Sequence, residues 1–97
     1  MTLDIKEIVE RVINIEIDGL NSLKNNIGDE LRLVVKEILD TSGKVIICGM
    51  GKSGLIGTKI AASLASTGTS SFFMHPGEAF HGDLGMVEPE DLSLIHI

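Results

Sequence analysis

The chain has 97 residues, of which 43% are hydrophobic and 23% charged, so it has room for one small globular domain at most. Its net charge of -6, with no basic region and no Trp or Tyr, argues against nucleic acid as the main partner. A single cysteine excludes an internal disulfide and fits a reducing cytoplasm, and no apolar run approaches the roughly 20 residues that span a bilayer.

Two amphipathic helices are predicted at the N-terminal end. Residues 3 to 27 place apolar side chains near helical spacing, and Gly19 weakens the middle of this segment enough to allow a kink or break. Asp29 is typical of a new N-cap, and the second helix is predicted over Glu30 to Leu39. The long first helix has more apolar surface than one sheet face needs. One possibility is that one side of this helix packs on another subunit. The alternative is that both helices cover the faces of the following strand.

The centre of the chain is predicted to be a strand, a glycine-rich turn and a helix. Val45 to Cys48 form a short apolar run without polar alternation, typical of a parallel strand buried on both faces. At the end of such a strand, Cys48 is expected to be an inert buried thiol. Glycines follow, and a helix is predicted over Leu55 to Ser66. Backbone N–H groups at a helix start favour an anion, and phosphate is the natural candidate.

The second half of the chain predicts two further strands. After the turn Thr67-Gly68-Thr69, a strand is expected over Ser70 to His75, and another over Leu92 to Ile97, with residues 76 to 91 as a loop between them. Two parallel strands joined by a helix form a βαβ unit. The elements therefore indicate an α/β fold.

Nucleotide-binding motifs are disfavoured. Gly49 to Gly54 match G-x-G-x-x-G, but Phe73, Met74 and His75 stand where a dinucleotide fold needs an acidic residue for the ribose. The Walker A pattern fails because Ile46 occupies the position of its first glycine.

Lys52 and Ser53 lie in the glycine turn, at the edge where open α/β sheets bind ligands. Lys52 is interpreted as a cation for a phosphate or a sugar oxyanion, the alternative being a solvated loop lysine. Ser53 either donates to phosphate or caps the helix.

His75 and His81 lie six residues apart in one stretch that also contains Glu78 and Asp83. Such a stretch could supply metal ligands or a proton shuttle, but the spacing is not a known metal signature. On spacing alone, structural or surface histidines are favoured, and His96 is expected to be incidental.

The run GMGKSGLIGTKIAASLASTGTSSFFMHPGEAFHGDLGMVEPEDL, from Gly49 to Leu92, closely resembles the start of the sugar isomerase (SIS) domain of arabinose-5-phosphate isomerases. The glycine-lysine loop, the ASTGT turn and the HPGEAxHGDLG loop occur together and in order. The resemblance implies a flavodoxin-like three-layer α/β/α fold with an open parallel sheet. It also implies interconversion of D-arabinose 5-phosphate and D-ribulose 5-phosphate through an enediol, on the route to the lipopolysaccharide sugar Kdo.

The resemblance also implies roles for individual residues. Lys52 corresponds to a lysine implicated in catalysis, and Gly68 and Thr69 correspond to residues lining the substrate. His75 resembles a histidine that contacts substrate and can bind an inhibitory zinc. The resemblance implies that the reaction requires no cofactor. His81 resembles a second substrate-contacting histidine, assigned here to catalysis as well. Full-length family members are tetramers, so a homo-oligomer is expected.

The family pattern continues beyond the residues present here, into a phosphate-binding serine turn and further catalytic groups. We therefore expect an N-terminal fragment, inactive alone, with N-terminal helices over residues 1–42 and the first part of the SIS domain over 43–97. Ser93 to Ile97 fit the family strand poorly and are expected to be a fragment end or foreign sequence. The rival hypothesis is a non-catalytic sugar-phosphate-binding SIS module.

Overall fold

The computed structural model describes residues 2–95 and shows an α/β chain. Its elements in chain order are α1 (Ile5–Asn25), α2 (Asp29–Asp40), β1 (Val45–Cys48), α3 (Gly51–Ser66), β2 (Ser71–Met74), α4 (Pro76–Ala79), a 3-10 helix (Asp83–Met86) and β3 (Leu92–Ile95). The last two residues of the predicted third strand, His96 among them, lie outside the described residues. The chain divides into two compact units, Met1–Leu33 and Val34–Ile97. The domain boundary expected between residues 42 and 43 stays a prediction.

Helix α1 runs without interruption through Gly19. Asp4 caps its start by accepting a hydrogen bond from the N–H of Glu7 at 3.1 Å. The break that Gly19 allows does not form, since twenty other residues hold the helical pattern against the cost of one glycine. No helix within residues 2–95 is long and apolar enough to cross a membrane.

The sheet is parallel, with strand order β2-β1-β3. Val45 pairs with Ser71 on one side and Leu92 on the other, and Cys48 pairs with Met74 and Ile95. Because β1 is central, Val45, Ile46 and Ile47 are buried as predicted, whereas Cys48, expected to be a buried thiol, is only half-buried. The predicted βαβ unit is confirmed.

Helix α3 packs closely on the sheet through small residues. Ala61 joins Val45 and Ile47 in the core, and Ile38, Leu64, Phe73 and Leu94 pack around them. A Cβ atom at Gly57 would lie 3.0 Å from Ile47 Cγ2, so glycine permits this approach. The helix begins at Gly51 and not at the predicted Leu55, because the turn occupies only two residues and its glycines belong to the first turns of the helix.

The segment predicted as a loop over residues 76 to 91 contains two short helices, α4 and the 3-10 helix. Pro76 is the first residue of α4, where its missing N–H costs nothing. Each helix has four residues, too few to show a periodic pattern in the sequence.

Asp91 joins the amino ends of β1 and β3. Its carboxylate accepts hydrogen bonds from the N–H of Lys44 at 2.7 Å and the N–H of Glu88 at 2.8 Å. The Lys44 ammonium lies 3.5 Å away, and the Asp91 side chain is 1% exposed. These two N–H donors, that of Glu88 first, together with the Lys44 charge, hold the pKa of Asp91 below its ordinary value of 3.8, although burial raises it.

We expect Asp91→Asn to lower the melting temperature at pH 7 by roughly 5–10 °C, because the amide cannot accept from both N–H groups. A lowered pKa in the folded state gives stability that is present above pH 3.8 and lost as the pH falls through the folded value. The gap between wild type and variant should therefore close as the pH is lowered below about 4. Thermal unfolding followed by circular dichroism from pH 2 to 7 measures this, with Glu90→Gln as the control. A gap that persists unchanged at low pH would contradict the role of the charge.

Candidate functional site

The glycine turn brings the start of α3 to the carboxyl edge of the sheet. β1 ends at Cys48, Gly49 is buried, and Met50 is the extended N-cap residue, without a side-chain capping hydrogen bond. Gly51 adopts a φ of +60°, which glycine reaches without the strain of a Cβ atom. The first intrahelical hydrogen bond runs from the N–H of Gly54 to Met50 O, so the preceding N–H groups have no partner within the helix.

Lys52 and His75 line one cavity of about 520 Å³ at this edge. Lys52 comes from the first turn of α3, and His75 follows directly after β2. Because β1 and β2 are parallel neighbours, the residues that follow their carboxyl ends meet. The cavity is lined by Gly51, Lys52, Gly54, Leu55, Thr58, Phe73 and His75.

The charge at this cavity is positive. Lys52 is exposed and makes no ion pair with any residue between positions 2 and 95, and the first turn of α3 contains no acidic residue. The positive end of the helix dipole adds to the ammonium charge. An anionic group therefore fits this cavity, in agreement with the phosphate site that the glycine turn in the sequence suggested.

Besides lining the cavity, His75 makes a hydrogen bond that the sequence did not reveal. It is the N-cap residue of α4, and its Nδ1 accepts a hydrogen bond from the N–H of Gly77 at 3.0 Å. The backbone of α4 therefore holds the imidazole that lines the cavity, and within residues 2–95 the other ring nitrogen, Nε2, makes no hydrogen bond.

Ser53 and His81 do not line this cavity. Ser53 is the third residue of α3, so the alternative that it caps the helix is wrong, since Met50 holds that position. It borders a separate apolar groove of about 480 Å³, together with the half-buried Cys48 and with Ile56, Ile60, Leu94 and Ile95 among others. His81 is exposed between α4 and the 3-10 helix, where its N–H donates to Glu78 O at 3.0 Å.

Gly68 and Thr69 lie at the opposite end of α3. They follow its C-cap residue Thr67 and precede β2, so they are at the amino edge of the sheet. A 16-residue helix is about 24 Å long, which separates them from Lys52. Their predicted place beside the substrate gains no support from this geometry.

Three cavity residues were missed by sequence reasoning: Leu55, Thr58 and Phe73. A signal for two of them exists, because Lys52, Leu55 and Thr58 recur at three-residue spacing on one side of α3. Phe73 required the register of β2 against β1.

The described residues do not form a zinc site around His75. Between residues 2 and 95, no group of three or more His, Cys, Asp or Glu side chains is placed to hold a metal ion. A protein zinc site needs at least three such ligands.

Comparison with known proteins identifies the fold. The sequence pattern of the SIS domain matches residues 37–96 of the chain. The chain belongs to the SIS domain family. The matched range ends at residue 96, and the expectation that Ser93 to Ile97 are a fragment end or foreign sequence stays a prediction.

Relatives of this SIS domain are longer. The chain is 52% identical over 89 residues to arabinose 5-phosphate isomerase KdsD of Salmonella typhi, covering 92% of the chain and 27% of that protein. It is 49% identical over 92 residues to the KdsD protein of Pseudomonas aeruginosa, covering 95% of the chain and 28% of that protein. The chain thus spans about a quarter of the length of these relatives.

A solved SIS-type structure confirms the α/β fold with its parallel sheet. The c3406 protein of E. coli CFT073, solved in complex with arabinose 5-phosphate, superposes with a TM-score of 0.84 and 35% identity, covering 96% of the chain and 51% of that protein. The prediction of an open parallel sheet of the SIS type is confirmed.

Proposed function

We propose that this SIS domain belongs to an aldose-ketose isomerase that interconverts D-arabinose 5-phosphate and D-ribulose 5-phosphate. The observation that carries the proposal is the cavity in which Lys52 at the start of α3 meets His75 at the end of β2. The KdsD relatives, and the solved structure of the complex with arabinose 5-phosphate, support this choice of substrate.

The reaction moves one carbon-bound proton between adjacent carbons. A base removes the proton at C2 of the aldose, an enediol forms, and a proton is returned at C1 while a hydroxyl proton moves between the two oxygens. Charge develops on the enediolate oxygen, so a cation placed there lowers the barrier. No redox partner is involved, and we propose that no cofactor is required.

Lys52 is suited to the electrostatic part of this reaction. Lys52 lies in the first turn of α3, where N–H groups have no partner within the helix, and it makes no ion pair with a carboxylate within residues 2–95. His75 faces the same cavity and supplies a ring nitrogen. His81 remains a proposed catalytic residue, and its exposed place outside the cavity requires the loop around it to move or a further segment to bring substrate to it.

An isomerase assay tests the proposal. We expect no turnover of D-arabinose 5-phosphate by the 97-residue chain, and turnover by a version extended through the segment that the longer relatives carry. Formation of the ketose is followed by nuclear magnetic resonance of the sugar. If the extended protein binds the sugar phosphate without converting it, the proposal fails and the rival hypothesis of a sugar-phosphate-binding module takes its place.

We further propose that the whole protein is a homo-oligomer acting in the cytoplasm. The support for an oligomer is α1, which buries none of its residues although it carries many apolar side chains, among them Ile5, Leu20 and Leu23, each more than 60% exposed. Such a surface is typical of an interaction site. The single cysteine supports a reducing compartment.

A further inference from the structure

His75 is held by the backbone in a way that determines which ring nitrogen carries the proton. Its Nδ1 lies 3.0 Å from the backbone N of Gly77 and accepts that N–H. In a neutral imidazole one nitrogen is a donor and the other an acceptor. An accepting Nδ1 therefore requires the proton on Nε2.

The chain fits this arrangement closely. A Cβ atom at Gly77 would lie 3.1 Å from Nδ1 and 3.3 Å from Cε1 of His75. These distances are shorter than ordinary van der Waals contact, so glycine at this position leaves room for the ring. Pro76, as the first residue of α4, fixes the backbone that aims the Gly77 N–H.

We propose that Gly77 is a positioning residue that locks His75 in the Nε2–H tautomer, so that His75 donates a hydrogen bond to a sugar oxygen. The choice of a sugar oxygen as the partner of His75 rests on the proposed function, whereas the assignment of the tautomer does not. The ring has no free lone pair in this arrangement. Another group must therefore remove the carbon-bound proton of the sugar.

The same arrangement disfavours zinc at His75. A metal binds a ring nitrogen through its lone pair, and here one lone pair accepts the Gly77 N–H while the other nitrogen carries the proton. Metal binding would require the loss of the Gly77 hydrogen bond. The lack of a three-ligand cluster within residues 2–95 agrees with this.

Long-range proton-nitrogen correlation spectra of the 15N-labelled extended protein test the tautomer without substrate. We expect His75 to show a protonated Nε2 and a bare Nδ1, with His75→Asn assigning the signals and preserving an N-cap acceptor. His81 is an internal reference, because its ring makes no hydrogen bond within the described part of the chain and should show averaged tautomers. A proton on Nδ1 of His75, or the same averaging as His81, would overturn the proposal.

Two glycine variants separate this role from a general effect on folding. Gly77→Ala should shift the His75 nitrogen signals toward the averaged pattern, because the methyl group displaces the ring. Gly85→Ala is the matched control, since nothing lies within 4 Å of its added Cβ atom. Equal changes in both variants would reduce Gly77 to a structural residue.

Addition of D-arabinose 5-phosphate then tests the donor role. We expect the His75 Nε2–H signal to move together with the amide signals of the first turn of α3. Movement of those amides alone would overturn the donor role and leave the proposed function standing. If no signal moves, both the donor role and the proposed function fail, while the tautomer measured without substrate stands. Zinc should leave the His75 pattern unchanged, and loss of the Nε2 proton on zinc addition would contradict the lock.

Discussion

Lys52→Ala in the extended protein is expected to lower the turnover of D-arabinose 5-phosphate by about 100- to 1000-fold, the usual cost of removing a group that stabilises developing charge. The physical reason is its position: Lys52 is a cationic residue in the first turn of α3, and it lines the same cavity as His75. If Lys52 acts on the enediolate oxygen, its contribution appears in the transition state. The Michaelis constant should therefore change far less than kcat.

Lys59→Ala is the control for this measurement. Lys59 lies on the same helix, is also exposed and does not line the cavity, so its loss removes one positive charge without touching the site. Initial rates over a range of sugar concentrations give both constants for each variant. Equal losses in binding and turnover for Lys52→Ala would identify Lys52 as a phosphate anchor and not as a catalytic residue.

The meeting of Lys52 and His75 was within reach of the sequence, because both follow closely after short apolar runs that are typical of parallel strands. In a parallel sheet the carboxyl ends of neighbouring strands lie at one edge, whatever the details of packing. The strand order β2-β1-β3 makes β1, which precedes Lys52, a neighbour of β2, which precedes His75. The core position of Val45 to Ile47 could be predicted equally well, since an apolar run without alternation has few other places in a small α/β domain.

The predicted start of α3 is wrong because glycine can either interrupt a helix or permit a close approach at its start. In a sequence, Gly51 and Gly54 indicate helix breakers, and the prediction therefore begins the helix at Leu55. In the structure, Gly51 supplies a left-handed backbone angle, and Gly54 supplies the absence of a Cβ atom against Gly49. Tertiary contacts, such as those around Gly54, decide which of these two effects applies, and a local sequence pattern does not contain information about those contacts.

The predicted roles of Gly68, Thr69 and His81 came from family resemblance, which assigns a residue to a function without placing it. Topology puts Gly68 and Thr69 at the amino edge of the sheet, a helix length from Lys52. The capping of α4 by His75 was likewise missing from the sequence analysis. A four-residue helix has no periodicity, and its N-cap is recognised only from the backbone.

Gly54→Ala is expected to lower the melting temperature by roughly 5–15 °C, corresponding to about 1–3 kcal/mol of overpacking in a domain of this size. The new Cβ atom would lie 2.8 Å from the carbonyl oxygen of Gly49 and 3.4 Å from Cζ of Phe73. The nearest neighbour is backbone and not a flexible side-chain end, so α3 must move away from the turn. That movement also shifts Lys52 from the cavity, and binding of the sugar phosphate should weaken in the extended protein.

Gly19→Ala is the matched control, because it is the same substitution in a helix with nothing within 4 Å of the added Cβ atom. Alanine is favoured over glycine in a helix interior by about 1 kcal/mol, so this variant should be more stable than wild type. Alanine is the better helix former at both positions, and only at Gly54 does the added Cβ atom meet a close contact. Opposite signs of the two shifts in thermal unfolding therefore measure the contact between α3 and the turn by itself. A stabilised Gly54→Ala variant would show that Gly49 yields, and that the close approach of helix and turn is not what requires glycine at this position.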